Sequence, residues 1–348
     1  MTVAVSFNEV NIVFGDDPKN ALTMMDDGKS RAEIQTATGQ VLGVHNCSID
    51  VPEGEILVLM GLSGSGKSTL LRAVNGLNTV VRGSVMVNTG SGMVDVASAS
   101  KAQLRSIRRS RVAMVFQQFG LLPWRTVADN VGLGLELARV PATERRERVA
   151  KQLDLVGLSD WAGRKVNELS GGMQQRVGLA RAFATEAPVL LMDEPFSALD
   201  PLIRTRLQDE LLELQTRLKR TIIFVSHDLD EAFKLGDQIA IMEGGRIVQA
   251  GSPRDIFSNP ANDYVADFVQ HMNPLGVLTA RDVMVPSVSE AGGGEGPVVD
   301  AATPVKDIID RLSDEAEIGV TEEGVRIGSI SSVSVLKTLS NVNEGKEG

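Results

Sequence analysis

The chain has 348 residues, with 35 basic and 45 acidic side chains, a net charge of −10 and one cysteine. This length exceeds one typical hydrophobic core, so two domains are expected. The acidic balance argues against nucleic acid as a partner, and a single cysteine excludes an internal disulfide and fits a reducing cytosol. No stretch approaches the roughly 18 apolar residues of a membrane span, and the first residues lack a signal-peptide pattern. We therefore expect a cytoplasmic protein that reaches a membrane only through a partner.

The first predicted elements are two strands, Val3–Phe7 and Val10–Phe14. Phe14 offers a flat π-face on which adenine could stack, but an aromatic residue taken alone is more often an ordinary core residue. Residues 15–44, next in the chain, are polar and are interpreted as an insertion. Two short helices are predicted within it, around Ala21–Gly28 and Ser30–Thr38.

A glycine-rich loop follows a predicted buried strand, Ile56–Met60, and precedes a predicted helix, Leu70–Val74. The loop has the spacing G-x4-G-K-[ST], which lets backbone N–H groups surround phosphates at the positive end of a helix. Lys67 can reach the β- and γ-phosphates, and the Ser68 hydroxyl can bind Mg²⁺. The sequence thus predicts ATP and Mg²⁺ as ligands; the alternative is a glycine turn without a ligand. The nine predicted nucleotide-binding residues of the loop are Gly61, Leu62, Ser63, Gly64, Ser65, Gly66, Lys67, Ser68 and Thr69.

The middle of the chain alternates between strand and helix. Lys101–Arg111 is predicted to be a basic helix with a solvated face, followed by a strand at Val112–Phe116. Gln117 comes directly after that strand, where a polar side chain can contact a metal ion or an attacking water. Residues 126–158 have helical periodicity interrupted at Pro141, which predicts a helical subdomain.

A second glycine motif, Leu169–Gln175, begins another predicted helix. A serine and two glycines at a helix start form a second anion-binding terminus, although an ordinary N-cap beside a flexible turn would look the same. Two such termini in one chain indicate a nucleotide held between two copies. The residues expected to contact it are Ser170, Gly171, Gly172 and Gln174.

Two carboxylates follow the apolar strand Val189–Met192. Asp193 is expected to hold Mg²⁺ through water, and Glu194 to polarise the water that attacks the γ-phosphate. A second apolar strand, Thr221–Val225, leads to His227, which is expected to sense the γ-phosphate.

These motifs, in this order, resemble the complete set of the ATP-binding-cassette (ABC) transporter ATPases over residues 1–270. The resemblance implies an α/β P-loop NTPase fold with a helical subdomain at residues 124–168. It implies that Phe14 is the adenine-stacking aromatic residue. It implies that Gln117 binds the metal and couples the site to a membrane subunit. Glu194 would be the catalytic base and His227 the switch histidine. Asp200 completes the set among the nucleotide-site residues.

A finer resemblance is to the quaternary-amine importer ATPases of the glycine betaine, proline and choline group. It rests on the insertion, on the loop variant Met60–Gly66, and on Ser170–Ala182. Within this group the chain looks closest to the choline-type ATPase, with glycine betaine or proline import as the alternative. The resemblance implies an ATP hydrolase coupled to transport, working as a homodimer with two membrane permease subunits and an extracytoplasmic substrate-binding protein. The protein would then lie on the inner face of a bacterial cell membrane.

The chain changes character in residues 274–348. Leu278–Pro286 resembles the opening of a cystathionine-β-synthase-type (CBS) module, and the remaining residues suffice for about one module. The run Gly292–Gly294 interrupts it like a linker. Pro304–Ile309 and Gly328–Ile330 are interpreted as a helix and a strand of this partial regulatory region.

Three other functions are compatible with parts of the pattern. A soluble ABC ATPase acting on ribosomes or DNA would normally carry a second cassette or a long coiled coil, and neither is present. A binding module with incidental ATPase motifs does not require the intact Glu194 and His227. An exporter would usually have its membrane spans fused to the ATPase.

Overall fold

The computed structural model describes residues 2–117, 120–197, 199–270, 274–276, 278–286 and 296–344. The strands in chain order are β1 (Val3–Phe14), β2 (Val41–Pro52), β3 (Ile56–Met60), β4 (Arg82–Asn88), β5 (Met93–Asp95), β6 (Val112–Val115), β7 (Val189–Asp193), β8 (Thr221–Val225), β9 (Gln238–Glu243), β10 (Arg246–Gly251), β11 (Val285–Pro286), β12 (Val298–Asp300), β13 (Ile318–Glu322) and β14 (Val325–Ile330). The α-helices are α1 (Leu22–Asp26), α2 (Arg31–Thr38), α3 (Lys67–Leu71), α4 (Lys101–Ser110), α5 (Val127–Val131), α6 (Leu133–Leu137), α7 (Ala142–Leu155), α8 (Gly171–Ala184), α9 (Pro201–Leu218), α10 (Leu229–Leu235), α11 (Pro253–Ser258), α12 (Asp263–Gln270), α13 (Ala280–Val283), α14 (Lys306–Asp314) and α15 (Ser332–Glu344).

The chain divides into two compact units. The first contains residues 1–227 and 235–248, and the second contains residues 228–234 and 249–348. The domain boundaries at residues 270 and 274 that the sequence suggests stay predictions.

A six-stranded sheet in the order β10-β9-β3-β8-β7-β6 forms the centre of the first unit. Strands β3, β6, β7, β8 and β9 pair in parallel. Every residue of β3, β7 and β8 is buried, as their uninterrupted apolar sequences predict. The loops that carry ligands in such sheets leave from the carboxyl ends of the strands. This brings the segments after β3, β6, β7 and β8 to one edge.

A second sheet, in the order β2-β1-β4-β5, packs its apolar face into the same core. The sequence predicts two strands at its start, and this is wrong: β1 is continuous from Val3 to Phe14. Its pairing with β2 shifts register between Phe7 and Val10, and Glu9 has a φ of 48°. A bulge therefore absorbs the polar residues that the sequence suggests as a break.

The insertion between β1 and β2 contains the two predicted helices, α1 and α2. Ser30 caps α2 by accepting a hydrogen bond from the Glu33 N–H, and the Glu33 carboxylate accepts one from the Ser30 N–H in return. Gly39 ends α2 in the left-handed region, with φ 70°. A small apolar cluster that includes Met25 and Ile34 fixes both helices to the sheet.

The predicted basic helix and helical subdomain are present as α4 and as α5, α6 and α7. Pro141 immediately precedes α7, where it separates this helix from α6. Val131, Leu153 and Val177 belong to an apolar cluster that joins the subdomain to α8.

In the second unit, a four-stranded sheet has the order β11-β14-β13-β12. The predicted helix and strand of this region are confirmed as α14 and the end of β14. The Gly292–Gly294 run lies outside the described residues. The resemblance to a CBS module stays a prediction. No helix in the described parts of either unit is long and apolar enough to cross a membrane.

Candidate nucleotide site

The glycine-rich loop is packed so closely that two of its positions admit only glycine. Gly61 has φ 136°, and a Cβ there would lie 2.1 Å from the Met242 carbonyl oxygen. Gly66 has φ 103°, and a Cβ there would lie 2.6 Å from the Gly43 carbonyl oxygen. Residues with a side chain rarely adopt these φ values, so the loop conformation depends on glycine at both positions.

Lys67 begins α3 and is buried. Its Nζ donates to the carbonyl oxygens of Gly61 at 2.7 Å and Leu62 at 2.9 Å. Burial lowers the pKa of Lys67, and the charges of Glu194 and Asp193 oppose that shift. An ammonium has three donors, so one is left for a phosphate oxygen.

The predicted helix at Leu70–Val74 is only partly present, because α3 ends at Leu71. The N–H groups of Ala73 and Val74 donate to carbonyls three residues earlier, at 3.1 and 3.2 Å, so the last turn tightens and leaves the α-helix.

Ser68 and Arg72 converge on Asp193, the last residue of β7. Ser68 Oγ donates to Asp193 Oδ1 at 2.6 Å, while Arg72 Nε and Nη2 donate to Oδ2 at 3.2 and 2.8 Å. The side chain of Asp193 is fully buried, so Arg72 provides the charge that makes burial of this carboxylate tolerable. Sequence reasoning missed Arg72, although its i,i+4 spacing from Ser68 could have indicated it.

Glu194 directly follows β7, and its contacts come from residues at the carboxyl ends of β6 and β8. Its Oε2 accepts a hydrogen bond from Gln117 Nε2 at 3.1 Å and lies 3.4 Å from His227 Nδ1. Its N–H donates to the Val225 carbonyl at 3.1 Å. The φ of Glu194 is 47°, a strained conformation for a residue with a side chain. Such strain persists where the surroundings impose it, which supports a functional role for this carboxylate.

These side chains surround one cleft with a volume of about 620 Å³. Phe14 lies on its wall and is 42% exposed, which favours the stacking role over the core alternative. The cleft also contains an unforeseen residue, Arg31, from the insertion. The residues lining the cleft are Phe14, Arg31, Val41, Leu42, Gly43, Ser63, Gly64, Gly66, Lys67, Ser68, Thr69, Gln117, Glu194 and His227.

Other predicted site residues do not line this cleft. Gly61, Leu62 and Ser65 shape the loop from outside it, and Asp193 lies behind Ser68. Ser170 caps α8 by accepting from the Met173 N–H, while Gly171, Gly172 and Gln174 begin that helix away from the cleft. Asp200 caps α9 by accepting from the Ile203 N–H at 3.0 Å.

One contact joins the second motif to the cleft, and the sequence did not predict it. Gln175 is buried, and its Nε2 lies 3.4 Å from the Glu194 carbonyl oxygen. A second glutamine directly after Gln174 in the motif gives no signal for this contact across the fold.

Comparisons with known proteins agree with the fold. A family model described as "ABC transporter" matches residues 44–197. The glycine betaine/proline betaine transport system ATP-binding protein ProV of Escherichia coli (strain K12) is 50% identical over 81% of this chain and 70% of that protein. The trimethylamine N-oxide transport system ATP-binding protein TmoW of Ruegeria pomeroyi is 42% identical over 96% of each chain. A solved dimeric ATP-binding cassette in a post-hydrolysis state, bound to ADP and Pi, gives a TM-score of 0.62 at 29% identity, over 72% of this chain and 99% of that chain.

Fold, motifs and relatives together define an ABC-type ATPase, which confirms the predicted α/β P-loop fold with its helical subdomain. The chain belongs to the family of ATP-binding subunits of quaternary-amine ABC importers. It is accordingly an ATP-binding protein whose hydrolysis of ATP is coupled to transport.

Proposed function

We propose that ATP binds in the cleft with its adenine on Phe14 and its phosphates in the loop Gly61–Thr69. The observation that carries the proposal is the convergence of Phe14, the loop, Gln117, Glu194 and His227 on one cleft. The loop N–H groups and Lys67 offer positive charge to the phosphates, and such preorganised charge accounts for most of the catalysis in phosphoryl transfer.

Ser68, Asp193 and Gln117 are the residues that would hold Mg²⁺. Hydroxyl and carboxylate oxygens are the ligands this ion prefers. Asp193 Oδ2 is already bonded to Arg72, which suits contact with the ion through water. In the described ranges, no three His, Cys, Asp or Glu side chains gather into a metal site, so nucleotide and water oxygens would complete the coordination. When bound, the ion neutralises charge on the β- and γ-phosphates.

Glu194 would act as the general base toward the attacking water. Gln117 holds one carboxylate oxygen at 3.1 Å and restricts the rotamer of Glu194. His227 Nδ1 lies 3.4 Å from the same carboxylate oxygen, and His227 would donate to the γ-phosphate or to the product. The hydrogen bond from the Glu194 N–H to the Val225 carbonyl fixes the main chain of Glu194 relative to the end of β8.

A second copy of the chain would complete the site. Five of the predicted nucleotide-site residues do not line the cleft of their own chain: Ser170, Gly171, Gly172, Gln174 and Asp200. At Gly171, an added Cβ would meet no atom within 4 Å, so the start of α8 is open to a partner. The solved relative bound to ADP and Pi is dimeric, which supports this arrangement.

Permease subunits would dock on a groove beside the helical subdomain. The groove has a volume of about 320 Å³, and Leu77, Phe116, Leu133 and Leu137 contribute apolar lining. Phe116 directly precedes Gln117, so a partner in this groove would lie next to a residue that contacts Glu194. The protein would thereby be held at the inner face of a cell membrane, where an extracytoplasmic binding protein delivers substrate to the permease from the other side.

The transported molecule is proposed to be a small methylated amine. The sequence favoured choline, which the comparisons do not confirm. ProV and TmoW are named for the transport of glycine betaine, proline betaine and trimethylamine N-oxide, so we place glycine betaine before choline.

Competitive uptake tests this proposal. Cells with the intact chain and cells with the Lys67→Ala variant would be given labelled glycine betaine or labelled choline, with unlabelled glycine betaine, choline, proline or trimethylamine N-oxide as competitors. We expect uptake to require Lys67 and to be blocked best by unlabelled glycine betaine. Uptake of labelled choline that glycine betaine does not block would instead support choline, and uptake independent of Lys67 would contradict the ATPase assignment.

A further inference from the structure

We propose that the insertion clamps the phosphate loop, and that Arg31 is the positioning residue through which it acts. This inference rests on the proposed binding of the nucleotide phosphates in that loop. It gives the insertion, which is otherwise outside the ATPase motifs, a direct part in nucleotide affinity.

The contact is a two-pronged hydrogen bond to main-chain carbonyls. Arg31 Nη1 donates to the Gly64 carbonyl oxygen and Nη2 to the Gly43 carbonyl oxygen, each at 2.7 Å. Gly64 lies in the loop with φ 80°, whereas Gly43 lies in β2 behind it. The planar guanidinium therefore bridges the loop to the sheet, a geometry that lysine cannot reproduce.

The surroundings are shaped to admit this guanidinium. Gly245 has φ 87°, and a Cβ there would lie 2.8 Å from Arg31 Nη2. The Gly245 N–H donates to the Ser65 carbonyl at 3.1 Å, and its own carbonyl accepts from the His45 N–H at 2.7 Å. Three segments thus converge behind the loop: the insertion, β2 and the turn after β9.

The position of Arg31 does not suit the stability of its own helix. It is the first residue of α2, and a positive charge at a helix N-terminus opposes the helix dipole. Burial lowers the pKa of the Arg31 guanidinium, and no neighbouring carboxylate counters this shift. Its Nε has no hydrogen-bond partner among the described residues. A half-buried cation on the wall of the phosphate cleft, with no carboxylate beside it, adds positive charge next to the loop that it holds, so its loss should weaken the binding of an anionic nucleotide.

The test compares Arg31→Ala and Arg31→Lys with Lys29→Ala in the full-length protein. Lys29 is the matched control, because it is a cation of the same insertion and pairs with Glu33 at 3.9 Å on the surface. ATP and ADP dissociation constants would be measured by calorimetry, together with the thermal midpoint with and without nucleotide. Arg31→Ala should weaken ATP binding about tenfold and reduce the stabilisation by ATP, as expected for losing charge-assisted hydrogen bonds. Arg31→Lys should be intermediate, and Lys29→Ala should match the unaltered chain.

Two results would overturn the clamp. One is an Arg31→Ala protein with a lower thermal midpoint but unchanged ATP affinity, which would make the contact merely structural. The other is an Arg31→Lys protein that binds ATP as tightly as the unaltered chain, which covers the case in which Arg31→Ala does not fold. Lys67→Ala separates the two levels of inference: if it binds ATP normally, the proposed phosphate site itself is wrong.

Discussion

Gln117 Nε2 donates to Glu194 Oε2 over 3.1 Å and so joins the carboxyl ends of two neighbouring parallel strands, β6 and β7. This hydrogen bond connects the candidate base to the segment that leads into the helical subdomain. A displacement of that segment by a docked partner would withdraw the amide and free the Glu194 carboxylate to change its rotamer. Contact with the permease and hydrolysis at the cleft would then be coupled by one side chain.

The coupling groove is tested at Leu137, which is 63% exposed. Leu137→Asp should reduce substrate uptake by the assembled transporter while leaving ATP hydrolysis by the isolated chain unchanged, because the groove lies outside the nucleotide cleft. Leu336→Asp is the control, since Leu336 is 64% exposed in the second unit. Uptake that is equally affected by both variants would place the permease elsewhere.

Lys67→Ala tests the phosphate site. Loss of the ammonium removes charge-assisted hydrogen bonds to the phosphates, so ATP should bind about 30-fold to 100-fold more weakly in calorimetry. Lys101, an exposed cation of α4, provides the control variant Lys101→Ala. Equal ATP affinity in the two variants would contradict the role assigned to Lys67.

The Arg72–Asp193 pair is tested against a similar pair on the surface. Arg72→Met should lower the free energy of unfolding by about 2 kcal/mol, because it leaves a buried carboxylate without its cation, although Arg72 itself is partly solvated. Arg82 makes a similar two-pronged contact with Asp26. The side chains of Arg72 and Arg82 are exposed to a similar extent, 39% and 36%. Their partners differ, because the Asp26 side chain is 56% exposed and that of Asp193 is fully buried. Denaturant unfolding of Arg82→Met should therefore show a smaller loss, and equal losses would contradict this account of Asp193.

Cys47 predicts a pH dependence of stability. Burial raises the pKa of its thiol from the ordinary value of 9.0 to about 11. A pKa raised by folding contributes stability that is fully present below pH 9 and is lost as the pH rises toward about 11. Unfolding measured across this range should show a steeper loss for the unaltered chain than for Cys47→Ala. Parallel curves would mean that the thiol ionises as readily in the folded state as in the unfolded one.

Much of the fold and the cleft could be predicted because the evidence is local in the sequence. The apolar strands β3, β7 and β8 end at Met60, Asp193 and Val225, and parallel strands bring the loops at their carboxyl ends to one edge of the sheet. Ser30 and Glu33 similarly mark the start of α2 within a few residues.

The features that could not be predicted depend on contacts between distant segments. Arg31 meets Gly64 across 33 positions, and Gln175 meets the Glu194 carbonyl across 19. The continuity of β1 depends on a left-handed conformation at Glu9, which a glutamate does not signal. The early end of α3 is an exception, because the hydrogen bonds that tighten its last turn are local, although its residues alone would extend the helix.

The measurement that tests the account most directly is ATP turnover by Glu194→Gln, combined with its oligomeric state in ATP. The change keeps the shape of the side chain but removes the proton acceptor, so hydrolysis should fall by about 100-fold or more while ATP binding persists. ATP should then hold the variant as a stable dimer in size-exclusion chromatography. Glu186→Gln is the control, because Glu186 also has a positive φ, 55°, but lies outside the cleft. Hydrolysis by Glu194→Gln at nearly the rate of the unaltered chain would contradict the assignment of Glu194 as the base.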